Sequence, residues 1–282
     1  MSVKSVIRAL SPPILWDAAR AARDAIGKPE WEWVPGGWDR SRAAAQGWED
    51  ESVLETLRAR WPAIVAATRG PAPLTLSPES ALAAREDIAT HNTVMVFGYG
   101  LARAAHGVSQ LSMLDWGGGL GHYRLVAEAL LPDVTIEYHC RDTRLVARYA
   151  RTLQPDAHFH EDDESCFARS YDLVFASAAL HYVEDWRSIL GRLAAASRRY
   201  LLVTRLPTVE HAPSYVALQR AHRHGFRTEY LGWVIRRDEF LEHAAQLGLT
   251  LEREFLIDER PHIPRAPGPC RYRGFLFRAA RS

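Results

Sequence analysis

Residues 111–122 read LSMLDWGGGLGH, an apolar run that ends in Asp115 and is followed by four glycines within five positions. A strand, a glycine-rich turn and a helix in this order are typical of the nucleotide pocket of an open α/β sheet. Glycine suits this turn because it adopts positive φ and lets the backbone approach a ligand closely. The dinucleotide fingerprint G-x-G-x-x-G beginning at Gly117 would require glycine at position 122, where His122 stands. The spacing therefore argues against a nicotinamide-dependent oxidoreductase.

Composition sets limits on the function. The chain has 282 residues, of which 47% are hydrophobic, enough for one large domain or for a domain with a helical extension. Its formal net charge of +1 gives no field that would attract nucleic acid. Cys140, Cys166 and Cys270 form no C-x-x-C pair, which favours a reducing, cytoplasmic compartment without a zinc or disulfide framework. The sequence contains no apolar run approaching the roughly 18 residues of a membrane span.

The segment 1–27 suggests contact with a membrane surface. It is predicted to form two short helices broken at Pro12-Pro13, with an apolar stripe beside Lys4 and Arg8. A basic amphipathic segment that carries a tryptophan can lie on a membrane. We therefore expect weak membrane-surface contact through residues 1–27, at the inner face of the membrane. The alternative is that this segment packs against its own protein.

The next part of the chain is predicted to be mainly helical. Apolar periodicity predicts helices over residues 51–70 and 77–105, so residues 1–105 are expected to form a helical N-terminal cap. Tryptophan is concentrated in this part, with four of its occurrences within residues 31–48. These four indicate either a small local core or a surface that stacks on sugars or bases.

From residue 111 onward short strands alternate with helices. The predicted strands after the first are residues 134–140, 158–160, 171–176, 199–204, 249–257 and 271–278. The predicted helices between them are residues 122–131, 143–154, 185–197 and 237–247. This alternation predicts an α/β fold with a parallel sheet over residues 106–282. Residues 205–236 follow a strand end and are rich in polar and aromatic groups, so we expect them to form an insertion at an acceptor site.

Two motifs resemble one enzyme family. The pattern Asp115-x-Gly117-x-Gly119-x-Gly121 resembles the loop that binds S-adenosylmethionine (SAM) in class I methyltransferases. Residues 171–186, YDLVFASAALHYVEDW, are similar to the fourth strand and following loop of that family. The resemblance implies a Rossmann-like, seven-strand, mostly parallel sheet with an antiparallel last strand. It also implies an enzyme that uses SAM, releases S-adenosylhomocysteine (SAH) and has no metal.

The resemblance assigns the cofactor loop to Asp115 and Gly117, Gly118, Gly119 and Gly121. The family normally has an acid at the end of the second strand that accepts both ribose hydroxyls. Here Arg141 stands at that position, so Asp142 is the expected ribose ligand; alternatively it caps the following helix.

The other predicted cofactor contacts follow the third and fourth strands. Asp162 or Asp163 would face the adenine amino group, unless this acidic loop is simply solvated. The resemblance places Ser177 and Ala178 beside the methyl-transfer site. His158 and His160 also suggest a metal site, but strand alternation explains their spacing and no metal is expected.

Catalytic and acceptor residues are predicted in the following loops. His181 is the candidate general base, because an imidazole can accept the proton of a hydroxyl acceptor, and Tyr182 is its neighbour. The alternative is that both residues pack the loop or cap the next helix. Arg205, His211 and Tyr215 are the candidate substrate ligands, with Arg205 expected either to bind an acceptor carboxylate or phosphate or to bridge to an acid of the cap.

A finer resemblance points to one branch of the family, often encoded among bacterial surface-polysaccharide or natural-product biosynthesis genes. The residues that carry it are Pro12-Pro13, Gly47-Trp48, residues 115–121, 180–182 and 204–207. It implies a small-molecule, sugar (glycan) or peptide-like acceptor, methylated on oxygen. No N-P-P-Y signature of nucleic-acid methylation is present, so no nucleic-acid partner is expected. Nitrogen methylation and a non-catalytic SAM-fold scaffold are the alternatives.

Overall fold

The computed structural model describes residues 29–39, 47–75 and 87–280. The membrane contact predicted for residues 1–27 lies outside the described residues, as does the start of the helix predicted from residue 77. Across the described ranges, we find no helix with both the length and the apolar character needed to cross a membrane.

The described residues contain ten strands joined in one sheet. In chain order they are β1 (Trp31–Val34), β2 (Gln110–Trp116), β3 (Thr135–Arg141), β4 (His158–His160), β5 (Tyr171–Ser177), β6 (Ser197–Val209), β7 (Tyr215–Arg220), β8 (Glu229–Arg236), β9 (Thr250–Leu256) and β10 (Arg271–Arg278). Seven of them lie in the order β4-β3-β2-β5-β6-β10-β9. The five from β4 to β6 are parallel, and β10 runs antiparallel to both of its neighbours. The predicted Rossmann-like sheet with an antiparallel last strand is confirmed.

Seven α-helices are described, and their ends follow local capping chemistry. They are α1 (Glu51–Arg69), α2 (Ile88–Ala105), α3 (His122–Leu130), α4 (Arg144–Leu153), α5 (Asp163–Phe167), α6 (Trp186–Ala196) and α7 (Arg237–Gln246). Asp50, Asp87 and Asp185 cap α1, α2 and α6, each accepting a hydrogen bond from a backbone N–H of the first turn. The predicted end of α7 just before Gly248 agrees closely with the structure.

Helices cover both faces of the seven-strand sheet. Side chains from α1, α2, α3 and α4 join one buried cluster, and those from α6 and α7 join another. Strand β2 is buried at every position after its first residue, as expected for a parallel strand between two helical layers. The carboxyl ends of β2, β3, β5 and β6 therefore meet at one edge of the sheet, where open α/β folds bind ligands.

Residues 205–236 contain a hairpin that extends the sheet. Strands β7 and β8 pair antiparallel, and β8 joins the far end of β6 through Thr208–Ile235 and Val209–Arg236. The outer strand of the extension is β1, which pairs with β7. Periodicity predicted only helices before residue 105. The short strand β1 has too little local pattern to be recognised, because it is held by β7, a partner from the later part of the chain.

Candidate active site

The glycine turn between β2 and α3 contains an open cradle at Gly119. This residue has φ +61°, and a Cβ added there would meet no protein atom within 4 Å. Its backbone N–H donates to Asp142 Oδ2 at 2.7 Å. Gly119 thus holds a left-handed backbone conformation beside free space, which is the geometry expected where a ligand lies against the main chain.

The preceding glycines are required by close packing. A Cβ at Gly117 would lie 2.4 Å from the Cβ of Ala179, and one at Gly118 would lie 2.4 Å from the carboxyl carbon of Asp115. The Gly117 N–H donates to the carbonyl oxygen of Arg141 at 2.8 Å. The turn is therefore held between the end of β3 and the loop after β5. Further on, Gly121 packs against Gln154 and starts α3.

Asp115 supports the turn without lining the cavity. Its carboxylate is fully buried at the end of β2, and the Tyr138 hydroxyl donates to Oδ2 at 2.6 Å. The other oxygen, Oδ1, has no hydrogen-bond partner among the described residues. Burial raises the pKa of Asp115 to about 7, and the hydrogen bond from Tyr138 offsets part of this effect. Asp115 is thus a buried acid directly against Gly118.

Asp142 connects the turn to the end of β3. Besides the bond from Gly119, its Oδ1 accepts the backbone N–H of Thr143 at 2.7 Å. Burial raises the pKa of Asp142, and the two backbone hydrogen bonds oppose that rise. The carboxylate also lines the cavity. Asp142 is not the N-cap of α4, because that position is occupied by Thr143, whereas its carboxylate does face the space beside Gly119.

The acids after β4 are placed differently from the prediction. Asp162 is exposed and caps α5, accepting the Ser165 N–H at 2.8 Å, a hydrogen bond that lowers its pKa. Asp163 Oδ1 accepts the Trp116 indole N–H at 2.9 Å and lies 2.7 Å from Arg141 Nε. The structure brings neither carboxylate to the cavity. Instead Asp163 fixes Trp116 and Arg141, which do line it.

Ser177 and Ala178 line the cavity where β5 ends. Ser177 Oγ lies 3.4 Å from the Tyr123 hydroxyl. Ala178 has φ +51°, uncommon for a residue with a side chain, and its N–H donates to the Thr204 carbonyl oxygen at 3.0 Å. The turn predicted to flank the methyl-transfer site is thus strained and tied to β6. Strained backbone of this kind is often found at functional sites.

His181 is not placed as a general base would be. It lies in the 3₁₀ turn Leu180–Tyr182, is 1% exposed and does not line the cavity. Neither ring nitrogen has a hydrogen-bond partner among the described residues. Burial lowers its pKa to about 3, with a smaller contribution from the charge of Arg205. An imidazole of this pKa accepts a proton poorly at neutral pH, so the geometry does not support the predicted base role.

Tyr182 lines the cavity in front of His181, with the two ring centroids 3.9 Å apart. Its hydroxyl donates to Gln219 Oε1 of β7 at 2.6 Å. The strand extension therefore fixes the orientation of a ring on the cavity wall. Of the two residues predicted to be catalytic, the structure brings Tyr182 alone to the site.

Of the three predicted substrate ligands, only Arg205 reaches the cavity. Its Nε lies 3.2 Å from Glu259 Oε2, an acid outside the cap, whereas the sequence predicted a bridge to an acid within it. His211 is exposed, and Tyr215 is buried with its hydroxyl donating to the Gly268 carbonyl oxygen at 2.9 Å. Neither lines the cavity, because β6 continues to Val209 instead of ending at residue 204 and carries the following residues past it.

Further parts of the wall come from residues that were not individually predicted as site residues. They are apolar or aromatic side chains before and within α1, a short row on α2, and one ring before β8: Trp48, Val53, Leu57, Thr90, Thr93, Val94 and Phe226. The helix predicted over residues 51–70 is present as α1, and its face that carries Val53 and Leu57 covers the cavity. His122, the first residue of α3, also lines it.

Helix α1 and the residue Glu49 before it are held over the cavity by hydrogen bonds on two sides. On one side, Ser52 Oγ accepts the Arg227 N–H at 2.9 Å, and the Thr56 hydroxyl donates to the Gly225 carbonyl oxygen at 3.1 Å. On the other side, the Glu49 carboxylate lies 3.3 Å from the Arg144 backbone nitrogen at the start of α4. The segment from Glu49 through α1 thus spans from the strand extension to the start of α4, with the cavity beneath it.

Comparison with solved structures finds similar chains among methyltransferases. One is an S-adenosylmethionine-dependent methyltransferase from Clostridium acetobutylicum, with 9% identity and TM-score 0.44, covering 66% of this chain and 92% of that one. Another is the Burkholderia thailandensis 1,6-didemethyltoxoflavin-N1-methyltransferase with bound SAH, with 16% identity and TM-score 0.44, covering 84% and 91%. An O-methyltransferase family protein from the same organism has 18% identity and TM-score 0.46, covering 82% and 72%. The search of curated proteins finds no match.

The family itself is identified from the sequence. Residues 85–254, more than half of the chain, match the family described as "Methyltransferase domain". This range runs from just before α2 into β9 and contains the glycine turn, Asp142 and the Ser177–Ala178 turn. The chain belongs to this family and is a class I SAM-dependent methyltransferase.

Proposed function

We propose that the enzyme transfers the methyl group of SAM to a hydroxyl or carboxylate oxygen of a small-molecule, sugar or peptide-like metabolite. The observation that carries the proposal is the cavity, in which the Gly119 cradle and the side chains of α1 and α2 face the same space. Because α1 is held over the cavity by hydrogen bonds, the cavity suits a small acceptor rather than a nucleic-acid duplex. The near-neutral charge of +1 agrees with that.

The cavity residues fit the cofactor. The space beside Gly119 allows close approach to the backbone, and the Asp142 carboxylate beside it can accept hydrogen bonds from ribose hydroxyls. We assign the holding of SAM to the backbone of Gly117–Gly119, to Asp142, and to Ser177 at the end of β5. When bound, SAM supplies an electrophilic methyl group on a positively charged sulfur.

The protein contributes mainly by orienting the acceptor. Tyr182, fixed by Gln219, and Arg205, fixed by Glu259, present held side chains to the cavity. Holding two reactants in line can supply several kcal/mol of the barrier reduction, on the order of 7–11 kcal/mol in the best intramolecular cases. We assign His181 to positioning: its buried ring supports Tyr182 from behind. The proposed reaction forms the O–CH₃ bond and leaves SAH, and the proton of a hydroxyl acceptor passes to water; neither His181 as a base nor a metal takes part.

We further propose the division of the chain suggested by the sequence, with a cap over residues 1–105 and a SAM-binding domain over residues 106–282. In support of it, the cap contributes Val53 and Thr90 to the cavity, and residues 205–236 contribute Arg205 and Phe226. On this division the acceptor lies between the cap and the insertion. We also propose that the enzyme belongs to the branch encoded among bacterial surface-polysaccharide or natural-product biosynthesis genes, and that it is located in the cytoplasm.

The acceptor atom can be tested with SAM labelled with ¹³C in the methyl group. The enzyme would be incubated with a panel of hydroxy, carboxylic and amine metabolites, and NMR would identify the element bonded to the labelled carbon in each product. We expect O–CH₃ products. If all products carry N–CH₃ groups, the acceptor atom is nitrogen and the proposal of oxygen methylation is wrong. If the protein binds SAH but forms no product across the panel, the non-catalytic scaffold alternative is favoured.

A further inference from the structure

We propose that the methyl acceptor is an aromatic, largely apolar molecule that carries few hydroxyl groups. This inference rests on the proposed function and narrows it, because it selects against sugars. It follows from two properties of the cavity wall. Four of its polar side chains already have protein partners, and the surface around them is aromatic and aliphatic: the four are Thr90, Thr93, Tyr182 and Arg205.

The polar side chains of this wall are committed to other protein groups. The Thr90 hydroxyl donates to Asp87 Oδ2 at 2.7 Å, and the Thr93 hydroxyl donates to the Ala89 carbonyl oxygen at 2.8 Å. The Tyr182 hydroxyl donates a hydrogen bond to Gln219, and the Arg205 guanidinium forms an ion pair with Glu259. A sugar entering this space would leave several hydroxyls without the hydrogen bonds they make in water, which opposes its binding.

The apolar part of the wall comes from three separate elements. Val53 and Leu57 extend from α1, Val94 from α2, and Val183 from the loop after the 3₁₀ turn. The convergence of four aliphatic side chains gives a surface that gains from burying an apolar ligand and offers nothing to a hydroxyl.

An aromatic cluster completes the wall. Trp48 stacks on Tyr230 with centroids 4.1 Å apart and planes 15° apart. It meets Tyr182 and Phe226 at a steep angle of 67° in both cases, with centroids 5.1 Å and 5.8 Å away. Trp48, Tyr182 and Phe226 all line the cavity. Rings prefer offset-stacked or edge-to-face contacts with other rings, so this arrangement favours a planar aromatic ligand over a flexible aliphatic one.

The test uses 1-naphthol as an aromatic probe with one hydroxyl and methyl α-D-glucopyranoside as a polyol of similar size. Each would be titrated into the full chain saturated with SAH, and binding would be followed by calorimetry. Two variants, Phe226→Ala and Trp48→Ala, remove rings from the wall. The control variant Phe255→Ala removes a half-buried ring on β9 that packs on Tyr99 and does not line the cavity.

We expect saturable binding of 1-naphthol to the wild type and to Phe255→Ala, weakened at least about tenfold in Phe226→Ala and Trp48→Ala. Affinity for SAH should change by less than about threefold in Trp48→Ala, which shows that a weakened variant is still folded. The inference would be overturned if the glucoside binds more tightly than 1-naphthol or if 1-naphthol shows no saturable binding. It would also be overturned if Phe226→Ala and Trp48→Ala bind 1-naphthol as tightly as the wild type does. Failure of the wild type to bind SAH would instead count against the proposed cofactor site.

Discussion

The variant Gly119→Arg is expected to lower the affinity for SAH by at least about 100-fold while the protein remains folded. The side chain would start from a position where no protein atom lies within 4 Å. It would therefore extend into the cavity and occupy cofactor space without displacing the core. Its cost to stability is the left-handed backbone at φ +61°, about 1–2 kcal/mol for a residue with a side chain.

A matched control separates this effect from backbone strain. Gly107, in the exposed turn between α2 and β2, has φ +75° and also has no protein atom within 4 Å of an added Cβ. Gly107→Arg therefore introduces the same side chain at similar strain, away from the cavity. Calorimetry should show wild-type affinity for SAH in this control. Similar SAH affinities in the two variants would show that Gly119 does not face the cofactor.

The second large effect concerns acid stability and His181. Burial lowers the pKa of His181 to about 3, whereas an unfolded histidine has a pKa of about 6.5. Between these values the unfolded chain binds a proton that the folded protein does not. The contribution of His181 to the free energy of unfolding therefore falls by about 1.4 kcal/mol for each pH unit below about 6.5. From pH 6.5 to pH 5 this amounts to about 2 kcal/mol.

Asp115 acts in the opposite direction over part of this range. Its pKa is raised to about 7, so between about pH 3.8 and pH 7 the unfolded chain releases a proton that the folded protein keeps. The Asp115 contribution to stability is lost as the pH rises through this window and returns as the pH falls. The free energy of unfolding of the wild type therefore changes with pH as the sum of two opposing contributions. The contribution of His181 has to be measured by comparison with a variant that lacks it.

Urea unfolding of wild type and His181→Leu at pH 6.5 and pH 5 would isolate it. We expect the variant to lose about 2 kcal/mol less than the wild type over this interval, and to keep the pH dependence of turnover. The control His211→Leu removes an exposed imidazole and should follow the wild type. An unchanged acid slope in His181→Leu, together with the loss of a pH limb in turnover, would restore the base role predicted for this residue.

The parts of the fold that the sequence predicts are those encoded locally. The glycine turn and the strand leading into it follow from a short motif and an apolar run, whereas the antiparallel direction of the final strand was implied by the family resemblance. Asp142 was predicted from the family resemblance, as the acid next to the position that Arg141 occupies. The contact between its carboxylate and the Gly119 N–H agrees with that reasoning.

The features that sequence reasoning misplaced depend on distant pairing or on burial. His211 and Tyr215 lie away from the cavity because β6 continues to Val209, with Thr208 paired to both β8 and β10 and Val209 paired to β8. The depth of His181 depends on Tyr182, Gly232 and Tyr272 packing around it, which the neighbouring sequence does not reveal. The contact of Asp163 could not be predicted because its partner Trp116 lies at the end of β2, 47 positions earlier in the chain.

The cavity walls on α1 and α2 show the same limit. Amphipathic periodicity predicts which face of a helix is apolar, but it does not distinguish a face that packs on the core from one that covers a ligand site. The contacts that place α1 over the cavity join Ser52 to Arg227 and Thr56 to Gly225, pairs that are distant in sequence. They become visible only in the folded chain.

The most direct test of the central claim is a calorimetric titration of the wild-type chain with SAH, with NADH as the control ligand. We expect one saturable SAH site of roughly micromolar affinity and no binding of NADH, because the Asp115–Gly121 spacing suits an adenosyl ligand without a pyrophosphate. Failure to bind SAH, or binding of NADH at comparable affinity, would contradict it.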